Sequence, residues 1–453
     1  MNPVFFADPW WLILVKVLLL FVVLLVWTIF NVWYERRVLG RMQNRMGPVM
    51  NGPFGLGQAL GDGAKLIFKE DYRPANTDPL IYNLAPLLSG FAAFTGWAVI
   101  PFAGEVTMFG EQTRLQLTDL PVAALFVLAI ASIGIYGIVL AGWAGSNSYS
   151  FLGGVRSAAQ MISYELAMGL AIVGVLMRAG SMSTHEIVEA QNQPIPFGNP
   201  FTGELFFDGD HTVTGWYFFL LFPCFIIYII AMTGETNRAP FDLPECESEL
   251  VSGFMTDYSG FRYAIFFLAE YINMLTVSAM CVTLFLGGYL IPWPLNAFEI
   301  FSNPWLGVIA FMVKTQIVFT LFMWFRGATW RFRYDHFMSL GWKYLIEIAL
   351  VYLVAVMIYP EGSALFGVIT AIVVYFIYRT KLRDDLELRG TGEEIISNEP
   401  FDAFAGGYPV PPRPGQQLPE LAGVVVGKRA AREDHEEGAH VAADPRDQKG
   451  SDL

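Results

Sequence analysis

Apolar runs of about 20 residues recur along most of this chain, each long enough to cross a hydrocarbon layer of about 30 Å as a helix. We read them near residues 10–33, 82–103, 120–143, 158–178, 215–234, 262–290, 305–325, 343–359 and 363–379. Backbone polar groups in lipid must be paired within the structure, which leaves only helices or a closed barrel. The runs lack the alternating polarity of barrel strands. The expected fold is therefore an all-α integral membrane protein. Composition agrees: 54% of the 453 residues are hydrophobic and 15% charged, more apolar surface than a soluble domain can cover.

The basic residues give an orientation. With nine spans and the N-terminus outside, fourteen Lys or Arg fall in or beside the inside loops and two in the outside loops, a strong positive-inside bias. The net charge of −13 is concentrated beyond residue 383, where seven basic residues face fifteen acidic ones. That stretch is rich in Pro, Gly and Ala and has no periodicity, so we expect a membrane domain over 1–383 and a disordered, acidic, cytoplasmic tail over 384–453. No cleavable leader is evident, because the first apolar run is too long and lacks a basic start. In the inside loop 51–71, Leu56, Leu60, Ala64 and Ile67 recur at helical spacing opposite Gln58, Asp62, Lys65 and Lys69. This pattern predicts an amphipathic helix, lying along the membrane interface or packed on a neighbour.

Redox chemistry within the chain is not expected. Cys224, Cys246 and Cys281 are far apart in sequence, and none of the five histidines lies well inside a span. Metal, haem and iron–sulfur ligation by this chain are thus not expected.

Charge inside a span costs about 2.5–3.5 kcal/mol on insertion scales, so each case needs a reason. Lys16, Glu165, Glu270, Lys314 and Glu347 qualify. Glu165 and Glu270 read as stations on a proton path or as interhelical hydrogen-bonding groups. Lys16 and Glu347 lie near span ends, which suggests snorkelling. The densest acidic cluster is the inside loop 234–249, with Glu235, Arg238, Asp242, Glu245, Glu247 and Glu249. A helix is expected to start at Asp242 with Glu245 in the capping-box position. Asp242, Glu245 and Glu249 would then share one face, where like charges cannot all stay ionised cheaply. Such a loop can store or pass protons. Two basic clusters face the same side: Arg36, Arg37, Arg41 and Arg45 in one, Arg326, Arg331 and Arg333 in the other. Topology signals, lipid head groups or an acidic partner would each explain them.

Taken together, six segments carry a resemblance. They are YERRVLGRMQNRMGP, GPFGLGQALGDGAKLIFKED, FLGGVRSAAQMISYELAMGL, GETNRAPFDLPECESELVSGF, YSGFRYAIFFLAEY and RFRYDHFMSLGWK. In this order, over about residues 10–359, the chain closely resembles the quinone-chamber membrane subunits of respiratory complex I, the proton-translocating NADH:quinone oxidoreductase. The resemblance implies eight tilted helices plus the amphipathic one, in the bacterial inner membrane. It implies that Glu35, Arg36 and Arg37 line the mouth of a quinone chamber, with Arg45 and Asp62 nearby and Arg331, Arg333 and Asp335 supporting the chamber from the opposite loop. Glu235, Arg238, Asp242, Glu245, Glu247 and Glu249 would respond to quinone chemistry, and Glu165 and Glu270 would continue the proton path. NADH, FMN and iron–sulfur clusters would be handled by hydrophilic partner subunits, and protons by small or antiporter-like membrane partners. Quinone and lipid would be the ligands here, and no nucleic acid. Cys246, Asp257, Trp330, His336 and Glu347 depart from the family pattern, and the ninth span and the tail lie beyond it. Two other readings are a membrane subunit of a related energy-converting hydrogenase and a stand-alone proton-coupled carrier.

Overall fold

The computed structural model describes residues 8–145, 147–192, 215–242, 247–292 and 303–358. These all fall in the unit Met1–Ile377. The expected ninth span, the tail and Glu245 lie outside the described residues, as does the side chain of Glu247.

The first apolar run forms α1 (Trp10–Met42), a single helix of 33 residues. At 1.5 Å per residue it is about 50 Å long. It therefore continues well past the hydrocarbon layer, and residues 34–42 are helical where hydropathy suggested a loop. Nothing before Gly40 interrupts helix geometry, and the chain turns at residues 43–45, where Asn44 takes a left-handed φ of 54°. Next comes the amphipathic α2 (Gly57–Phe68), none of whose residues is buried. Asp78 caps α3 (Pro79–Thr95) by accepting from the Leu80 amide at 3.0 Å.

A small antiparallel hairpin, β1 (Glu105–Met108) and β2 (Glu111–Arg114), turns at Phe109-Gly110. Both turn residues have positive φ (52° and 93°), the conformation of a tight two-residue turn. Hydropathy gave no sign of this hairpin.

Two long apolar helices follow, α4 (Ala123–Ala144) and α5 (Ser148–Ala179). They cross closely: a Cβ on Gly142 would lie 3.0 Å from Gly154 Cα. Small residues at such crossings let membrane helices approach and pack. The short α6 (Thr184–Ala190) precedes the next described segment. There the predicted span 215–234 appears as two pieces, α7 (Tyr217–Leu220) and α8 (Phe222–Glu235). The break falls at Leu221, just before Pro223, which is tolerated only in a helix's first turn. One turn of helix, α9 (Glu247–Leu250), then leads to α10 (Gly260–Phe285) and α11 (Pro304–Ala328). The last described helix comprises α12 (Tyr334–Leu340), a π-helical turn over Gly341–Leu345 and α13 (Ile346–Ile358).

Six of these helices are long and apolar enough to cross a membrane, and α8 is a shorter apolar one. The protein is thus an all-α membrane protein apart from its hairpin. Its core places Trp97, Tyr164, Tyr228 and Tyr352 fully out of contact with solvent. The hydroxyls of these three tyrosines each donate to a carbonyl: Tyr164 to Phe337 (2.9 Å), Tyr228 to Val277 (3.0 Å) and Tyr352 to Leu220 (3.3 Å). This satisfies the polar tip at the end of a large apolar ring.

The two intramembrane lysines are explained locally. Lys16 does not snorkel; it is buried, pairs with Asp8 at 2.6 Å and donates to Thr113 and to the Arg114 carbonyl, tying α1 to the hairpin. Lys314 donates to the carbonyls of Leu286 (2.7 Å), Gly288 (3.0 Å) and Leu290 (2.5 Å), beneath the Trp216 ring. It serves carbonyls just past the end of α10, where the chain has left the helix and its regular hydrogen bonding. Glu347 is exposed.

Candidate functional site

The extension of α1 beyond its apolar stretch carries Glu35 into the interior, where it is 4% exposed. Three groups from other elements converge on it. Tyr271 of α10 donates its hydroxyl at 2.6 Å, Arg326 of α11 forms an ion pair, and Arg238 Nη1 stands 3.8 Å away. Arg238 also places Nε 2.6 Å from Glu270 Oε1 and stacks over the Tyr271 ring at 4.6 Å. Glu35, Arg238, Glu270 and Arg326 therefore form one network joining α1, the segment after α8, α10 and α11. Buried charges persist only when paired and hydrogen-bonded, and here each has a neighbour of opposite sign.

Outward from Glu35, the neighbouring arginines take separate tasks. Arg36 pairs with Asp62 of α2 at 2.5 Å, and Gln58 donates to the other Asp62 oxygen at 3.0 Å. Arg37 lies over the rings of Trp33 and Phe54 and donates to the Phe54 carbonyl at 2.8 Å. It thus pins the loop before α2 back onto α1. Arg45 contacts Gln43 at 2.9 Å. Between α1, α2 and the start of α10 is a cleft of about 830 Å³. Leu25, Ile29, Val32, Leu60, Ala64, Phe261 and Leu268 line it, with Arg36 and Asp62 at its wall.

Inward from Glu270 the surroundings are tight and mostly apolar, with a few polar side chains among them. A gap of about 40 Å³ is lined by Glu270, Glu235, Asn237, Ser89 and Asn273. A second of similar size shares Glu235, Thr236 and Asn273 with it. Each is larger than the roughly 10–15 Å³ a water needs. Glu235 Oε2, Asn237 Oδ1 and Ser89 Oγ are buried there without a hydrogen-bond partner in the protein. Such atoms normally meet ordered water when no side chain serves them. Close by on α5, Glu165 accepts from Ser132 of α4 at 2.5 Å.

The acidic loop splits between two arginines. Asp242 lies 3.2 Å from Arg331, and the Phe332 amide donates to the Pro240 carbonyl at 3.3 Å. Glu249 pairs with Arg156 of α5 at 3.0 Å. Arg333 and Asp335 pair with each other at 3.2 Å, both exposed. The structure thus gathers Glu35, Arg238 and Glu270, sets Arg36 and Asp62 at the cleft, and leaves Arg45, Arg333 and Asp335 on the surface. The sequence alone assigned no role to Tyr271 or to the Arg326–Glu35 pair. A tyrosine directly after an intramembrane glutamate was the available signal for the first. None existed for the second.

Residues 15–357 match the NADH dehydrogenase family. A protein of Cutibacterium acnes, named as a subunit of NADH-quinone oxidoreductase, is 53% identical over 443 residues, covering 95% of this chain and 97% of the relative. Its namesake from Streptomyces avermitilis is 44% identical over 452 residues, covering 95% and 92%. Both alignments therefore run past residue 357, so the C-terminal extension has a counterpart in each. With a family match over most of the chain and two relatives of this identity, the chain belongs to the NADH dehydrogenase family.

Proposed function

We propose that this chain is the membrane subunit of a proton-translocating NADH:quinone oxidoreductase, that the cleft between α1, α2 and α10 admits the quinone, and that Glu35, Arg238 and Glu270 couple its chemistry to protons. The observation that carries this reading is proximity. Val32 and Arg36 of α1 and Phe267 and Leu268 of α10 line an apolar cleft large enough for a lipophilic tail, and within a turn on the same two helices stand Glu35 and Tyr271 of the buried network. Glu270 of that network also borders a narrow gap reaching Glu235. Quinone reduction takes up protons with electrons, so a negative species at the head of the cleft would redistribute charge among these pairs. Glu235 and Glu165, with room for water beside the first, would carry the response into the membrane domain. The names of both curated relatives support this reading over a hydrogenase subunit or a lone carrier.

In this assignment the loop bearing Asp242 and Glu249 faces the cytoplasm, the N-terminus lies outside the bacterial inner membrane, and residues 384–453 form a cytoplasmic tail. Hydrophilic partner subunits would supply FMN and iron–sulfur clusters. Small and antiporter-like membrane partners would receive the coupling. The experiment is to narrow the cleft with Ala64→Trp in the assembled complex. Turnover with a long-tailed quinone should fall, with KM raised severalfold. NADH oxidation by a water-soluble artificial acceptor should stay unchanged. Unaltered kinetics with the long-tailed quinone would remove the cleft from the route.

A further inference from the structure

Segment 234–241 holds Arg238 in place, yet it contains only the last two residues of a helix and has no strand partner. Turn bonds such as the Phe241 amide to the Arg238 carbonyl (2.9 Å), and the Phe332 amide on Pro240, hold part of it. The other anchors come from one face of α5, at Ser157, Gln160 and Tyr164. Gln160 is fully buried, and its single Nε2 donates to the Gly234 carbonyl at 2.9 Å and the Phe241 carbonyl at 2.8 Å. One turn before, Ser157 accepts from Asn237 Nδ2 at 2.7 Å, where Asn237 takes a left-handed φ of 52°. One turn after, the Tyr164 ring packs so closely on Gly234 that a Cβ there would come within 2.5 Å of it.

We propose that Gln160 is a positioning residue for the quinone-linked reaction: its amide clasps both ends of segment 234–241 and so sets Arg238 between Glu35 and Glu270. The inference rests on the reading of those three residues as the coupling network. A carboxamide suits the task because it presents two N–H donors from one atom without a charge. Gln160 Oε1 is buried with no hydrogen-bond partner, so donation is the only polar work the side chain performs. The reversed amide would aim an oxygen at two carbonyls. Opening this clasp leaves two buried carbonyls unserved and frees the segment to shift, which moves the guanidinium relative to both carboxylates.

The test uses the full complex in its own membranes, with two variants at one site. Gln160→Met keeps the volume and removes both donors. Its quinone turnover should fall about tenfold, equivalent to about 1.4 kcal/mol, while NADH oxidation by a water-soluble artificial acceptor stays at the parental level. Gln160→Glu keeps the shape and, when protonated, one O–H donor. It should recover turnover at acid pH and lose it at alkaline pH, a profile that packing alone would not produce. Parental turnover in Gln160→Met overturns the proposal, as do equal losses in both variants at every pH. If Gln160→Met does not assemble, the pH profile of Gln160→Glu decides the matter. Arg238→Met separates the two levels of argument. Normal turnover there removes the coupling network itself, whereas lost turnover there with a normal Gln160→Met removes only the clasp.

Discussion

Tyr271 donates its hydroxyl proton to Glu35 at 2.6 Å, joining α10 to α1 across 236 positions of sequence. The same tyrosine presents its ring to the Arg238 guanidinium, so one side chain orients both members of a buried ion pair. Replacing it with phenylalanine keeps the ring and removes a hydrogen bond to a charged group, worth about 1.5–3 kcal/mol. Tyr271→Phe should lower quinone turnover severalfold and leave artificial-acceptor activity intact. Wild-type turnover would show that the orientation of Glu35 does not matter.

The Arg36–Asp62 pair differs in kind, because both side chains are more than a third exposed. Exposed pairs contribute about 0–1 kcal/mol and are weakened by salt. Asp62→Asn should therefore leave thermal stability nearly unchanged while raising KM for quinone, more so at low ionic strength. A stability loss without a kinetic effect would make the pair a structural brace.

Asp242 faces Arg331 from the acidic loop, with its side chain about one-fifth exposed. Asp242→Asn retains the shape and removes the charge. We expect reduced inhibitor-sensitive NADH:quinone turnover in membranes whose complex assembles at normal levels. Normal turnover would take this loop out of the mechanism.

Lys314 gives a prediction about stability alone. Lys314→Met leaves three carbonyls without their donor. At about 1–3 kcal/mol for each unserved buried group, the purified complex should unfold at a lower temperature, with kcat per assembled complex unchanged. An undiminished unfolding temperature would show that these carbonyls find other partners.

Much of the fold was legible because the bilayer sets element length. The predicted spans 120–143 and 305–325 differ by only a few residues from Ala123–Ala144 and Pro304–Ala328. Hydropathy ended the first span at 33, because Glu35, Arg36 and Arg37 are polar. The helix continues because polarity does not break it, and that continuation is what brings Glu35 inside. The break at Leu221 and the Phe109-Gly110 turn are matters of local backbone conformation, to which hydropathy is blind. For the site, single acids in apolar helices stood out by their cost. Their partners did not, since Arg326 and Glu35 meet only through tertiary packing across 291 positions.

α1 is fastened twice. Near one end Lys16 is moored to Asp8 and the hairpin; about 28 Å along the axis, at 1.5 Å per residue, Glu35 is held by α10 and α11. A rod secured at both ends can neither slide nor rotate without undoing buried polar contacts at two depths at once. A displacement that left both moorings intact would have to occur in the segments around α1, with this helix as the fixed reference.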